Sequence, residues 1–302
     1  MTDPFSAAVT AAQTAQAAAA ALAQENTSLT GQHAADQQTI AQQAAQIADL
    51  EAQLHPKTET LFGVSASTKV QHDSYAKLLG SVGVWRYYRQ PGERPAPPTE
   101  YTLGPGERMI ASTKVKPQDV VTGRYDADFL SLFRWLGDNW FCPWHEPADD
   151  VERGNFTVAQ YRAMWDHLTP LARQTSVRLT PILMRATYAG AKGRKPADYL
   201  PDDYDAAGVD AYVAGSIGVK ATEIGTLLDP VRAASSKPIV VGETGVGQDV
   251  TGQARTDTLT QLASYYRTAS DVSAVCYFLG SGRNEWRLSQ ADAAAWNAGR
   301  AG

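Results

Sequence analysis

Two glutamates stand where apolar runs of the sequence end. Glu146 closes the string NWFCPWHEP, and Glu243 follows the apolar part of KPIVVGETG. In a barrel of parallel strands, a carboxylate at the carboxyl end of a strand points into the mouth where the active site lies. Two glutamates there can flank a glycosidic bond, because one can protonate the leaving oxygen while the other attacks the anomeric carbon. We therefore predict Glu146 and Glu243 as a catalytic pair, with a rim carboxylate paired to an arginine as the alternative for Glu146.

Eight short, β-rich apolar runs recur after residue 60, and these are the elements that must position such a pair. The runs are TLFGVSAS, SVGVWRYYR, RMIASTKV, NWFCPWHEP, VRLTPILM, GVDAYVAG, KPIVVGETG and VSAVCYFLG. Segments with helical spacing separate them, as in TVAQYRAMWDHLTPLARQT. Nearly continuous apolar runs are typical of parallel strands buried on both faces. We predict an α/β fold, a (β/α)8 TIM barrel over residues 60–302. A doubly wound open sheet is the alternative, although no G-x-G-x-x-G follows the first run.

Aromatic residues near the predicted strand ends could stack on sugar rings, whereas core packing is the better explanation for Trp135 and Trp165 and the alternative for Trp85. The substrate-binding candidates are Trp144, Trp286 and Tyr87, while Trp85 and Tyr212 also lie near strand ends.

Two loops are expected at the same mouth. The string GSGRNEWRL after the eighth run supplies Arg283 as a further substrate-binding candidate, and Glu285 as a reserve carboxylate should Glu243 be buried. The Pro- and Gly-rich stretch 90–107 suits the wall of a cleft, with a plain surface excursion as the alternative.

The sequence predicts no metal site and no cofactor. Its five histidines form no H-E-x-x-H motif and no closely spaced pair. Cys142 and Cys276 lie in separate apolar runs, so their spacing indicates neither a metal site nor a disulfide framework. Both are expected to be buried thiols.

Charge is distributed unevenly along the chain. Residues 1–54 contain five acidic residues and no Lys or Arg, which accounts for the whole net charge of −5 and leaves 27 acidic against 27 basic residues in the remainder. A charge-balanced domain lacks the basic field that nucleic-acid binding requires, so this class is set aside.

Residues 1–54 are rich in Ala and Gln and contain no Pro after Pro4, a helix composition. Apolar and polar residues recur at heptad spacing on one face, which several parallel helices could bury. We predict a self-associating coiled coil, compatible with a trimer; a solvated helix or a disordered tail is the alternative. Residues 55–59 are predicted to be a linker. The two core series are Ala19, Asn26, His33, Ile40, Ile47 and Leu54, and Leu22, Leu29, Asp36, Gln43 and Leu50.

The start MTDPFSAAVT has no basic region followed by a long apolar segment, and the sequence contains no run of 18 or more apolar residues. We expect a protein made in a cytoplasm, without a signal peptide and without membrane insertion.

The motifs WHEP, GVDAY and GETG resemble those of the retaining barrel clan of glycoside hydrolases, and among them most closely family 26. The resemblance spans about residues 60–290. It implies that Glu146 is the acid/base, Glu243 the nucleophile, His145 a residue that orients the site and Tyr212 a hydrogen-bond partner of the nucleophile. The chain departs from the family in Pro147 and Ala148, where Met or Leu and then Asn are common, and the substrate does not carry over.

A coiled coil before such a barrel also resembles minor tail proteins of phages that infect actinobacteria. This likeness implies a location on the virion tail, with residues 1–54 attaching or trimerising the protein among other tail proteins. The function predicted is hydrolysis of a host cell-surface polysaccharide by a retaining two-glutamate mechanism. Two alternatives remain: a structural or receptor-binding tail protein that binds glycan without cleaving it, and a bacterial cell-surface glycosidase.

Overall fold

The computed structural model describes residues 4–54, 59–80, 82–98, 101–103, 106–213, 218–279 and 286–302. The chain forms two compact units, Met1–Thr58 and Glu59–Gly302. No helix within these described ranges combines the length and apolarity needed to span a bilayer.

The first unit contains one helix, α1 (Pro4–Leu54), which agrees with the Ala-rich composition. The side chains described from residue 13 to residue 40 are all exposed. Among them, Leu22, Leu29 and Ile40 of the predicted seam are 66%, 59% and 64% exposed. Gln43 of the seam is also exposed, while the side chains of Ile47, Leu50 and Leu54 and linker residues 55–58 lie outside the described residues. The coiled coil stays a prediction.

The second unit is built on a parallel sheet, and each of the eight apolar runs contains a strand. The sheet is curled, with the strand order β5-β4-β3-β2-β1-β9-β8-β7-β6. This sequential order lacks the reversal that defines a doubly wound sheet, so that alternative is wrong. The strands are β1 (Leu61–Ala66), β2 (Val84–Tyr88), β3 (Arg108–Ser112), β4 (Trp140–Cys142), β5 (Arg178–Leu179), β6 (Ile182–Met184), β7 (Ala207–Val213), β8 (Ile239–Val246) and β9 (Val272–Phe278).

The sheet has nine strands because the fifth run is interrupted at Pro181, which lacks an amide hydrogen. The amide of Thr180 donates to the carbonyl of Phe141 in β4 at 2.8 Å, and the amide of Gly208 in β7 donates to the carbonyl of Pro181 at 2.8 Å. The segment 178–184 therefore bonds to β4 through its first half and to β7 through its second half. The two ends of the curled sheet meet in this one segment.

Helices follow most of the strands and cover the outer face of the sheet. In α6, Thr157 and Gln160 form a reciprocal capping box, and Tyr161, Trp165 and Leu168 are buried at helical spacing. The helices pack against the sheet in one apolar cluster. Alternate residues of the strands, including Val240, form a second apolar cluster, in which both cysteines are buried. The helices of this unit are α2 (Lys69–Leu79), α3 (Pro117–Val120), α4 (Asp126–Leu136), α5 (Pro147–Glu152), α6 (Val158–Ala172), α7 (Arg185–Tyr188), α8 (Asp229–Ala234), α9 (Gly252–Thr268) and α10 (Gln290–Ala301), with 3-10 turns at Ala191–Gly193, Pro196–Asp198 and Ala221–Thr226.

Candidate active site

A β-bulge at Gly242 determines where Glu243 points. Val209 in β7 lies opposite Val241 in β8, but the next residue, Asp210, lies opposite Glu243, so Gly242 is an extra residue in β8. Such a bulge turns two consecutive side chains toward the same face of a sheet. Without the bulge, strict alternation would have placed Glu243 on the same face as Val241, away from the mouth.

The contacts on either side of the bulge support this reading. A Cβ atom on Gly242 would lie 2.7 Å from Asp210 Oδ1 and 3.3 Å from Arg86 Nε, so only glycine fits beside these buried side chains. The following residue, Thr244, faces the helices, where its hydroxyl lies 2.9 Å from the hydroxyl of Tyr266 in α9.

Both carboxylate oxygens of Glu243 accept hydrogen bonds from tyrosines. The Tyr88 hydroxyl at the end of β2 donates to Oε1 at 2.6 Å, and the Tyr212 hydroxyl in β7 donates to Oε2. Glu243 is only 7% exposed, and a buried carboxylate needs such donors to offset its lost hydration. The two tyrosines therefore fix the orientation of the carboxylate and stabilise its charge.

Glu146 lies in the turn between β4 and α5 with a left-handed backbone conformation, φ 52° and ψ 47°. This conformation costs roughly 1–2 kcal/mol for a residue with a Cβ atom. The Glu146 amide donates to the carbonyl of Ile182 in β6 at 2.9 Å, and Pro147 occupies the first turn of α5. These neighbours hold the strained residue, whose side chain lines a cavity with Glu243.

The two glutamates come close together, and their environments differ. Single carboxylate oxygens of Glu146, Glu243 and a third residue, Asp210, all lie within 4.8 Å of one another. Burial, and then the charge of Glu243, raise the pKa of Glu146 to about 7. Glu146 can therefore hold or release a proton near neutral pH.

Asp210 was not selected from the sequence. It is fully buried, and neither of its carboxyl oxygens has a hydrogen-bond partner among the residues that the structure describes. Burial, and then the charges of Glu243 and Glu146, raise its pKa well above the ordinary value. The motif GVDAY contained a signal, since Asp210 and Tyr212 are two residues apart on a strand and share a face.

Arg86 is a second residue that the sequence analysis missed. Its guanidinium is fully buried, donates through Nη1 to Ser112 Oγ at 2.5 Å, and lies 4.6 Å from the centroid of the Tyr88 ring. In the described part of the chain, its Nε and Nη2 atoms have no hydrogen-bond partner. A buried cation therefore lies within electrostatic reach of the three carboxyl groups.

His145 lines the same cavity as the two glutamates. Its ring meets the ring of Tyr88 edge-on at 5.4 Å between centroids, and its buried Nδ1 has no partner within the described ranges. Burial, and then the charges of Lys114 and Arg86, lower its pKa well below the ordinary value. The imidazole is therefore neutral near pH 7.

A cavity of about 540 Å³ exposes this chemistry to solvent. Its lining includes Glu146, Glu243, His145, Tyr212 and Trp286. A neighbouring cavity of about 420 Å³ is lined by aromatic residues from the loops after β3 and β4. Pro91 and Lys114 line both cavities, so the two adjoin.

The predicted substrate-binding residues have different positions. Trp286 lines the larger cavity, is 2% exposed, and stacks on Tyr212 with 4.4 Å between ring centroids. A Cβ atom on Gly245 would lie 3.0 Å from Trp286, so this glycine admits the indole against β8. Trp144 is buried, donates to Asp150 Oδ2 at 2.8 Å, and lines the smaller cavity instead.

The prediction for Tyr87 is wrong. Its ring packs edge-on against Trp85 with 5.3 Å between centroids, away from the cavity. Successive side chains of a strand point to opposite faces, and Tyr88 is the residue of β2 that faces the mouth. Arg283 and Glu285 lie outside the described residues. In the stretch 90–107, residues 90 and 91 line the larger cavity.

Glu146, Asp210 and Glu243 lie close enough to contribute oxygens to one cation. However, both oxygens of Glu243 already accept hydrogen bonds, and burial favours the protonated forms of the other two carboxyls. The arrangement therefore fits groups that hold protons better than it fits metal ligands.

Neither a protein-family model nor a curated protein matches the chain. The fold is similar to solved glycoside hydrolases. A glutamate-to-glutamine variant of a family 128 (subgroup I) endo-β-1,3-glucanase from Amycolatopsis mediterranei, solved with laminarihexaose, aligns with 15% identity and a TM-score of 0.54, covering 79% of this chain and 99% of that one. A family 5 broad-specificity endoglucanase from Clostridium cellulovorans aligns with 13% identity and a TM-score of 0.52, covering 81% and 95%.

A third similar structure is a family 128 (subgroup VII) oligosaccharide-binding protein from Trichoderma gamsii, with 18% identity, a TM-score of 0.51, and coverage of 81% of this chain and 96% of that one. At these identities the likeness concerns the fold. The chain has the α/β architecture of glycoside hydrolase barrels.

Proposed function

We propose that this protein is a retaining glycoside hydrolase that cleaves a cell-surface polysaccharide. The observation that carries the proposal is the distance between the glutamates, whose nearest carboxylate oxygens lie within 4.8 Å in one cavity. Retaining glycosidases place their two carboxyl groups about 5–5.5 Å apart, whereas inverting enzymes leave about 6.5–9.5 Å for a water molecule.

Glu243 is the nucleophile in this proposal. It attacks the anomeric carbon while Glu146 gives its proton to the leaving oxygen, which takes the electron pair of the broken bond. Glu146, now ionised, then accepts a proton from water, and the resulting hydroxide displaces Glu243 from the sugar. The hydrogen bonds from Tyr88 and Tyr212 support the nucleophile assignment, and the raised pKa of Glu146 supports the acid/base assignment.

The other residues of the cavity hold and surround the sugar. Trp286 and Tyr212, stacked on each other, line the cavity and can contact a sugar through their ring edges. His145 is neutral and next to Glu146 in the chain, and its ring contact with Tyr88 holds that tyrosine in position at the mouth. No step of this mechanism requires a cofactor.

The substrate proposed is a polymer. The adjoining second cavity extends the binding surface beyond a single sugar, with Trp144 among its lining residues. Because one structural neighbour was solved with laminarihexaose, a β-1,3-glucan is the first polymer to test.

We further propose that the protein belongs to a phage virion tail, with residues 1–54 joining copies into a trimer. The support is the 51-residue helix whose described seam side chains Leu22, Leu29 and Ile40 are exposed in the single chain. Antibodies against the barrel should label the tails of virions whose genome encodes this chain. Labelling confined to unassembled protein would refute the location.

The second candidate function is glycan binding without cleavage. It is favoured by the oligosaccharide-binding neighbour of the same fold, and by the departure at Pro147 and Ala148 from the family 26 pattern. Release of reducing sugar from β-1,3-glucan and from host envelope fractions separates the two. Wild type and the control Glu223→Gln, an exposed glutamate outside the cavity, should release product, while Glu146→Gln and Glu243→Gln should not. Wild type that binds glycan yet releases nothing would establish the binder.

A further inference from the structure

Asp210 is a buried carboxyl group that the two-glutamate mechanism does not use. It lies opposite Glu243 across the β7–β8 pairing, at the bulge that turns Glu243 inward. Its Oδ1 atom and Arg86 Nε both lie against Gly242, at 2.7 and 3.3 Å from the position that a Cβ atom would take. Asp210 therefore lies beside the nucleophile position, near the buried guanidinium of Arg86.

The contacts of Asp210 differ from those of an ionised carboxylate. Glu243, its neighbour in the pairing, accepts two hydroxyl hydrogen bonds, whereas Asp210 accepts none from the described residues. Asp150, another buried aspartate, accepts hydrogen bonds from Trp144 and Asn155 and forms an ion pair with Lys114. A buried charge without such partners is strongly disfavoured, so a bare buried carboxyl group holds its proton.

The charges around the cluster lead to the same assignment. Arg86 is fully buried and forms no ion pair within the described part of the chain, and Lys114 is already paired with Asp150 at 3.3 Å. One unpaired buried cation can balance one carboxylate, but three carboxyl groups lie within 4.8 Å of one another. Glu243, with its two donors, is the member suited to carry that charge.

We propose that Asp210 is a protonated positioning residue, whose neutral side chain leaves Arg86 as the counter-charge of Glu243 and so keeps the nucleophile the single charged carboxylate of the cluster. For its role in catalysis this rests on the function proposed above. Its protonation state does not, and can be measured without any substrate.

Groups from every surrounding element act on Asp210. Burial is the first cause of its raised pKa, and the charges of Glu243 and Glu146 raise it further, whereas the cations Arg86 and Lys114 lower it. Other titratable groups are within electrostatic reach, and neutral thiols and phenols add no charge near pH 7. The thiols and phenols that interact with Asp210 are those of Tyr88, Cys142, Tyr188, Tyr212 and Cys276.

Asp210→Asn keeps the size of the side chain and makes it permanently neutral, so it mimics the protonated acid. An acid with a raised folded pKa stabilises the fold least at high pH, because the folded state resists ionisation that the unfolded state allows. The Tm of Asp210→Asn minus that of wild type should therefore increase as pH rises from 4 to 8, by about 3 °C or more. Asp150→Asn is the matched control: burial raises the pKa of Asp150, but the hydrogen bond from Trp144 and the charge of Lys114 outweigh burial and lower the pKa. The stabilisation from such an ionised carboxylate is nearly complete at pH 4, so the Tm of Asp150→Asn should lie below that of wild type by a nearly constant amount from pH 4 to 8.

The catalytic readout is the pH profile. If Asp210 is already neutral, Asp210→Asn should leave the activity loss near pH 7, which reports the proton of Glu146, within about half a pH unit of wild type. If Asp210 is ionised, removing its negative charge should move that loss about one unit or more toward acid. Lower stability of Asp210→Asn at pH 8 than at pH 4, relative to wild type, would likewise overturn the proposal.

A wild-type measurement covers the case in which the variant does not fold. With ¹³C-labelled aspartate carboxyls, one resonance should keep its protonated chemical shift up to pH 7, and its absence would refute the protonated state. A wild type that never cleaves glycan but retains this resonance would remove the proposed function while leaving the protonation of Asp210 established.

Discussion

The hydroxyl of Tyr88 donates a 2.6 Å hydrogen bond to Glu243 Oε1, although the two residues are 155 positions apart in the chain. One lies at the end of β2 and the other in β8, and the curled sheet brings them to the same mouth. The bond holds the carboxylate that is proposed to attack the sugar.

Replacing Tyr88 with Phe should lower kcat by about 10- to 100-fold, the effect of removing a hydrogen bond worth roughly 1.5–3 kcal/mol to a charged group. KM should change little, because the bond acts on the nucleophile. Tyr87→Phe is the control, since its ring faces away from the cavity. Equal losses in both variants, measured on the same glycan, would contradict the assignment of Tyr88.

Activity should fall as pH rises through about 7, since Glu146 must be protonated to assist the leaving group. Substrates with good leaving groups need little protonation, so Glu146→Ala should spare them and lose this limb of the pH profile. Steady-state kinetics between pH 4.5 and 9 test this. A wild-type activity that is constant across pH 7 would show that another group supplies the proton.

The same raised pKa predicts a stability cost at Glu146. Below the unfolded pKa of about 4.3 the carboxyl is protonated in both states, and the cost grows as pH rises toward the folded pKa of about 7. Glu146→Gln should raise the free energy of unfolding by about 1–3 kcal/mol at pH 8 and by little at pH 4. Urea titrations at the two pH values measure the difference, and equal gains at both would exclude this cause.

Gly242→Ala should destabilise the barrel by about 1–3 kcal/mol or more, because its Cβ atom would lie 2.7 Å from Asp210 Oδ1. Gly225→Ala is the matched control, as no atom lies within 4 Å of the corresponding position there. Thermal unfolding of both variants provides the comparison. A Gly242→Ala protein as stable as the control would show that the bulge can shift without cost.

Light scattering should report a trimer for the full chain and a monomer for residues 59–302, since α1 and the barrel are separate compact units. The variant Leu22→Asp/Leu29→Asp places charges on the predicted seam and should also be monomeric. The control Gln24→Asp/Gln38→Asp places the same charges on the opposite face of the heptad and should stay trimeric. A monomeric full chain at micromolar concentration would refute the coiled coil.

Local pattern in the sequence was enough to predict the strands and the strand-end glutamates. Strands buried on both faces of a parallel sheet are nearly continuous apolar runs, and the residues that follow such runs all lie at the carboxyl edge of the sheet. Glu146 and Glu243 could therefore be selected from the apolar runs that precede them in the sequence. The interruption of the fifth apolar run could also have been predicted locally, because Pro181 lacks an amide hydrogen, but the run was predicted as one strand.

Tertiary structure decided which side chains face the mouth. Whether Tyr87 or Tyr88 points inward depends on the register in which β2 pairs with its neighbours, because a shift of one residue would exchange the two faces of the strand. Glu243 faces inward only because Gly242 adds a residue to β8 opposite β7, and this pairing joins strands more than 25 residues apart. Asp210 and Arg86 read as ordinary charged residues in the sequence; their burial, and so their protonation and charge balance, follow from the closing of the sheet around them.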